Sequence, residues 1–406
     1  MPHSFDLSEF NPLDPEMRRD PYAVYARGRE FGVAAHPQLP TPIHSVFRYE
    51  DVQRVLRDHE TFSNEFGRSE AIQAELGQDT PPSMLGSDPP RHTRLRSLVN
   101  TAFTPRIIQQ LEPRMHEIAE QLVDDAIAKG EVDLVEALTY PLPVVMIAEI
   151  IGVPAKDRAQ FKEWSDQVVK SLGVGIIDGG NVDRLERQQA VINEMRSYFV
   201  PLAEERRVEP RDDLLTGLVQ ARHEGSKLDD EEMLAMLTLL LVAGNETTTT
   251  LIGNAAIALM EHPEAADQLR SEPELLPSAI EEVLRFSAPI QFDPRLVTRD
   301  VELCGTQLKE GQRVLNWIGS ANRDEAVFQN PEIFDITRQK NPHLSFGFGT
   351  HYCLGANLAR LEASVAIGTL LRKTDHFRRV NNEPLPLHTS PVFRSFSSIP
   401  VRIEGA

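Results

Sequence analysis

Apolar positions along the chain recur mostly at helical spacing, and at strand spacing only in short pieces. Between Ile107 and Gly225 they mark several amphipathic helices. Breaks fall at Gly130, Pro141-Leu142-Pro143, Gly152-Val153-Pro154, Gly173–Gly180 and Pro210. A longer element follows. Leu228-Asp229-Asp230-Glu231-Glu232 supplies a cap and first-turn acids, apolar and small residues continue to Glu261, and Pro263 closes the segment. At ~1.5 Å per residue, its ~32 residues predict a helix of roughly 48 Å, enough to cross the molecule. Leu358, Leu361 and Val365 fall at i, i+3 and i+7 and predict a helix over Ala356–Lys373. Short helices are expected after Asp20-Pro21-Tyr22 and after Arg48. Strands are expected at Val33–His36, Ile43–Phe47, Leu296–Thr298, Val301–Cys304 and Val314–Ile318, with a last hairpin across Pro391–Val401. The stretch Thr61–Pro90, rich in Gly and Pro, reads as a long functional or mobile loop. Neither an internal repeat nor an interdomain linker is evident. The expectation is one domain over 1–406, mainly α with a smaller β-rich region.

Charge narrows the function classes. Acidic residues outnumber basic ones by 61 to 42, a net charge of −19, which argues against nucleic acid as a partner. Cys304 and Cys353 are the only cysteines, so a disulfide framework is excluded. Met1-Pro2-His3-Ser4-Phe5-Asp6 lacks a basic region leading into an apolar one, and no apolar run approaches the ~18–20 residues of a membrane span. A cytoplasmic monomer with no membrane anchor is expected.

Candidate chemistry concentrates in Leu344-Ser345-Phe346-Gly347-Phe348-Gly349-Thr350-His351-Tyr352-Cys353-Leu354-Gly355. Gly347, Gly349 and Gly355 allow positive φ or close approach to a flat partner. The loop delivers one cysteine to a helix start, where amides favour thiolate over thiol. With no second cysteine nearby, Cys353 suits a single soft bond to a metal; alone, it would read as a buried, inert thiol.

The middle of the long helix is the second anomaly. Ala243-Gly244-Asn245-Glu246-Thr247-Thr248-Thr249-Thr250 places weak helix formers mid-element, at some tenths to about 1 kcal/mol each, and such violations mark function. Leu239, Val242, Ala243, Glu246, Thr247 and Thr250 share one face. Read alone, Thr247 would bond back to the preceding turn, with Glu246 capping or paired. His92 and Arg96, four apart after Asp88-Pro89-Pro90-Arg91, can clamp an anion or form a solvated basic face. Glu282 and Arg285, three apart, can pair on a helix.

Together these motifs resemble the cytochromes P-450. Phe346–Gly355 is similar to that family's haem-binding loop and His92-x-x-x-Arg96 to its propionate motif. Ala243–Thr247 is similar to its oxygen-activation motif, with Glu246 where many members carry Asp, and Glu282-x-x-Arg285 to its structural pair. The resemblance implies the P-450 fold, with haem b between the long central helix and the cysteine-loop helix, and Cys353 as the axial ligand. It implies that His92, Arg96, Arg295 and His351 hold the propionates, with Asp293 in support. Ala243 and Gly244 would admit the macrocycle and dioxygen, and Phe346, Gly347, Gly349 and Gly355 would border it. Glu246 would connect the site to solvent and Thr247 would engage dioxygen. Met84, Leu85, Leu239, Val242, Ala243, Ile290, Phe292 and Phe393 would line an apolar substrate pocket. Gly173–Gly180 would form a lid, either Arg323 or Arg338 would join the Glu282–Arg285 pair, and Arg94 and Arg338 would present positive charge to an electron donor.

The implied activity is insertion of one oxygen atom of O2 into an apolar small molecule such as a fatty acid, terpenoid or steroid. Electrons would come from a separate ferredoxin and an NAD(P)H-dependent reductase. Two alternatives are a peroxide-driven enzyme of the same fold, which typically lacks the acid–alcohol pair, and a non-catalytic haem carrier or sensor.

Overall fold

Helix Asp230–Glu261 runs 32 residues through the interior and organises what surrounds it. The computed structural model describes residues 14–36, 43–66, 83–102, 105–171, 182–223 and 225–406. A capping box fixes the helix start: the Asp229 carboxylate accepts from the Glu232 amide at 2.8 Å, and the Glu232 carboxylate accepts from the Asp229 amide at 3.3 Å. Helices Pro141–Ile151, Arg158–Ser171, Val182–Val208, Leu276–Phe286 and Ala356–Lys373 pack on it. Leu237, Leu241 and Ile252 are fully enclosed, and burial of such side chains stabilises by about 1.5–3 kcal/mol each.

One sequence expectation needs correction here. Among the described residues this helix is long and apolar enough to cross a membrane, but most of it is buried inside the protein. Its apolar length therefore reflects a core role.

The β-rich region is a five-stranded sheet in the order β1 (Val33–His36), β2 (Ile43–Val46), β8 (Arg313–Trp317), β5 (Phe292–Val297), β3 (Phe62–Ser63). Strands β2 and β8 are parallel and the other neighbours antiparallel. Strand β5 starts earlier than Leu296 because Pro294 is tolerated within it: β3 pairs only with Leu296 and Val297, so Pro294 lies on an edge. Strands β6 (Val301–Leu303) and β7 (Thr306–Leu308) form a hairpin whose turn, Cys304 (φ 50°) and Gly305 (φ 74°), has the doubly positive φ of a tight two-residue connection. Cys304 is structural there, its thiol donating to Asp51 at 2.6 Å.

The last segment also differs from expectation. Only Pro400–Gly405 (β10) is a strand, set between β4 (Glu131–Asp133) and β9 (Thr374–Arg379). The residues before it are held by isolated bridges, Ile290 to Phe393 and Leu387 to Phe396. The lid expected at Gly173–Gly180 lies outside the described residues.

Candidate active site

The glycine-rich loop is fastened from behind. Asn322 accepts from the Leu344 amide (2.7 Å) and donates to Ser345 Oγ (2.8 Å), and Ser345 Oγ donates to the Leu284 carbonyl (2.6 Å). Gly347 and Gly349 take φ of 72° and 74°, and a side chain at Gly349 would come within 3.2 Å of the Leu56 carbonyl, so glycine is required. The Cys353 amide donates to the Phe346 carbonyl at 2.8 Å, closing the loop. Gly355 then caps helix Ala356–Lys373. Cys353 remains partly exposed. Burial pushes its thiol pKa up, against the sequence expectation; the Gly355 amide, Arg96 and Arg360 offset this only in part.

Below the loop sits a charge network that sequence reasoning only half anticipated. Glu282 and Arg285 are both fully buried and pair at 2.7 and 2.8 Å. The third partner is Arg338, whose Nε donates to Glu282 at 3.0 Å, whereas Arg323 turns to Glu332 and the Phe286 carbonyl. A neighbouring network went unread in the sequence. Glu281 accepts from Arg360 (2.6 and 3.0 Å) and contacts His343 (3.1 Å). Burial would raise its pKa, but His343 and Arg360 outweigh this and hold the carboxyl at about 2. Arg360 also lies 4.4 Å from the centre of the Phe346 ring.

His92, Arg96, Arg295 and His351 are brought together from three distant stretches. The His92 and His351 rings lie 4.2 Å apart. Burial, then His92, Arg295, Arg96 and His59, push the His351 pKa down to about 3. The His92 pKa is also lowered, by burial and Arg96, with Asp88 opposing. Both ring nitrogens of His92, Nε2 of His351 and the Thr350 hydroxyl are buried without a hydrogen-bond partner. Asp293 holds Arg295 at 2.6 Å, and Arg96 donates to the Tyr352 carbonyl at 2.7 Å. Buried polar groups without partners are rare. A cluster of such donors with guanidinium groups beside it suits an anion.

The central helix splits the predicted face in two. Leu239, Ala243 and Thr247, four apart, form a row open to varying degree, with Ala243 exposed. Val242, Glu246 and Thr250 form a buried row, so Val242 belongs to the main core rather than to an open lining. Gly244 is also corrected: a side chain there would point at Ile147, 3.3 Å away, so its small size serves packing against helix Pro141–Ile151. Thr247 Oγ1 donates to the Ala243 carbonyl at 2.7 Å, leaving its oxygen lone pairs as acceptors. Glu246 is buried, and Ser395 Oγ donates to its Oε1 at 3.2 Å. Burial raises the Glu246 pKa to about 7; the Ser395 hydrogen bond lowers it and Asp166 adds to the rise. Nothing in the sequence signalled Ser395, which lies 149 residues away along the chain.

The remaining pocket residues divide. Ile290 and Phe393 are bridged neighbours, Met84 is buried in the main core and Leu85 is exposed. Phe292 is overturned as a lining residue. It is fully enclosed, with its ring 4.9 Å from Trp317 in the core beside the sheet. Arg94 and Arg338, expected to present positive charge to a donor, are paired with the buried carboxylates of Glu232 and Glu282.

A mainly helical fold with one thiol at a helix start, and an acid and an alcohol on adjacent rows of the central helix, suits a thiolate-ligated, oxygen-handling cofactor. The cytochrome P450 family model matches residues 29–400. A putative cytochrome P450 YjiB from Bacillus subtilis is 44% identical over 343 residues, covering 84% of this chain and 85% of that one. The solved structure of CYP109Q5 from Chondromyces apiculatus is 41% identical with a TM-score of 0.87, covering 97% of this chain and 98% of that one. CYP109E1 from Bacillus megaterium, solved with corticosterone, is 37% identical with a TM-score of 0.84, covering 95% and 99%. The chain belongs to the cytochrome P450 family. It is an oxidoreductase of the monooxygenase type, and its family uses haem.

The residues present fit haem. Cys353 offers one soft ligand, and among the described residues no group of His, Cys, Asp and Glu forms a rival metal cage. The unpartnered donors of His92 and His351, beside Arg96 and Arg295, match a pair of carboxylates.

Proposed function

We propose that this chain is a haem-thiolate monooxygenase that inserts one oxygen atom of O2 into an apolar small molecule, with electrons delivered by a separate ferredoxin and reductase. One observation carries the reading: the Cys353 thiol shares its loop with His351, whose buried Nε2 and both ring nitrogens of neighbouring His92 have no hydrogen-bond partner. Haem, when bound, supplies the dioxygen chemistry. Arg96, Arg295, His92 and His351 would hold its carboxylates, and Cys353 would bind its iron. Thr247, its hydroxyl proton committed to Ala243, presents an acceptor to the open row. Glu246, with its pKa raised by burial to about 7, can both take up and give up a proton near neutral pH and serves as the proton relay. Leu239, Ala243, Ile290 and Phe393 favour an apolar guest. CYP109E1 has been solved in complex with corticosterone and with testosterone, and its match over nearly the whole chain supports an apolar substrate of that kind here.

The test is a ligand screen followed by coupling. Apolar small molecules should displace water from the haem and shift its Soret band. With a binder and a surrogate ferredoxin system, wild type should form product, while Thr247→Ala should divert reducing equivalents to hydrogen peroxide. Full coupling in Thr247→Ala, or product formed only with added peroxide, would overturn the proposal.

A further inference from the structure

Further along the central helix from Thr247, toward its C-terminal end, lies a small cavity lined by Thr139, Thr249, Thr250, Asn254, Ser395 and the partly buried Phe396, among others. Its volume of about 10 Å³ is that of one water. Thr139 is fully buried on the π-helical turn Val135–Thr139, and its hydroxyl has no hydrogen-bond partner. The other polar linings are already engaged: Thr250 donates to the Glu246 carbonyl (2.8 Å), Thr249 to Asn245 (3.3 Å) and Asn254 to the Ser287 carbonyl (2.9 Å). Each hydroxyl keeps an accepting lone pair, so a water there would find the two to four partners it needs.

We propose that this cavity binds one structural water between Thr139 and Ser395, and that Ser395 with this water forms the proton supply line of Glu246. The inference rests on the reading of Glu246 as a proton carrier. When Glu246 has given up its proton, the Ser395 hydroxyl proton moves to Glu246 Oε1, the water passes a proton to Ser395 Oγ, and solvent water at the cavity mouth returns one to that water, so neither hydroxide nor charge is left on the line. Val135 and Phe396, both partly buried, also line the cavity, and the line would meet solvent on their side. Ser395 and Thr139 are positioning residues, acting through Glu246. The charged and polar groups facing Glu246 from elsewhere are Asp166 and Tyr140, hydrogen-bonded to each other at 2.6 Å. They connect to exposed Lys162 instead of to the cavity.

The experiment uses the haem-loaded full chain as wild type, Ser395→Ala, Ser395→Thr and Thr139→Val. High-resolution crystallography should find an ordered water against Thr139 in wild type and none in Thr139→Val. Infrared difference spectroscopy, with Glu246→Gln identifying the band, should show the Glu246 carboxyl stretch moving to higher frequency in Ser395→Ala and exchanging more slowly in D2O. Ser395→Thr, which keeps a hydroxyl, should restore both. Oxygen-dependent kcat should fall about tenfold in Ser395→Ala with KM unchanged, a fraction of what proton delivery is worth. A dry cavity in wild type, or an unmoved carboxyl band in Ser395→Ala, overturns the proposal. If Glu246→Gln itself turns over normally, the relay role of Glu246 fails, and the infrared and crystallographic arms still decide whether Ser395 and the water serve that carboxyl.

Discussion

Replacing Arg285 with methionine removes the most heavily bonded cation beneath the cysteine loop. The side chain is fully buried and donates to Glu282 (2.7 and 2.8 Å) and to the carbonyls of Asn322 (3.1 Å), Pro331 (2.8 Å) and Ile333 (3.1 Å). Methionine follows much of the same stem, so the cavity created is small and the loss is electrostatic. Glu282 would keep Arg338, the Asp335 amide and Asn341, while the three carbonyls each lose a donor. A stranded buried acceptor costs about 1–3 kcal/mol, and breaking a buried ion pair about 3–5 kcal/mol. These contributions overlap, so the expected destabilisation is about 3–5 kcal/mol. Arg114→Met is the control. Its partners Glu117 and Glu149 lie at or near the surface, where such pairs contribute about 0–1 kcal/mol. Urea unfolding followed by circular dichroism measures both; if refolding fails, unfolding rates rank them. Because Asn322 bonds both Arg285 and the cysteine loop, Arg285→Met should also speed haem release to an acceptor protein. A loss under about 1 kcal/mol with haem release unchanged would refute the reasoning.

Further outcomes follow from the same geometry. Cys353→Ser should abolish the strongly red-shifted Soret band of the reduced carbon monoxide complex, and Cys304→Ser, a turn residue bonded to Asp51, should keep it. Double replacement of His92 and Arg96 by alanine should lower haem occupancy after purification, measured by the haem-to-protein absorbance ratio; equal occupancy would contradict the anion-site assignment. Glu246→Gln should gain stability relative to wild type as pH rises. The folded carboxyl pKa is raised to about 7, so the wild-type cost is absent below the unfolded carboxylate range and fully present above about pH 7. Urea midpoints of the two proteins should therefore converge near pH 4.5 and separate by pH 8; a constant gap would refute the buried-carboxyl reading.

Local signals made much of this protein legible in its sequence. The long helix was readable because a cap, first-turn acids and a closing proline bracket an apolar run, and the ends found, Asp230 and Glu261, follow from those same residues. The cysteine loop was readable because positive φ at Gly347 and Gly349 is a backbone demand that only glycine meets cheaply. What needed tertiary structure was direction and pairing. Periodicity put Val242, Glu246 and Thr247 on one face, but packing of neighbouring helices buries the Val242–Glu246–Thr250 row and leaves Leu239, Ala243 and Thr247 in the open one. Phe292 was apolar and in the right stretch, yet strand pleating turned its ring onto Trp317. Arg338 joined Glu282 across 56 residues, and Ser395 reached Glu246 across 149. Such contacts carry no local sequence signature, because a hydrogen bond between distant residues depends on where the whole chain places two backbones.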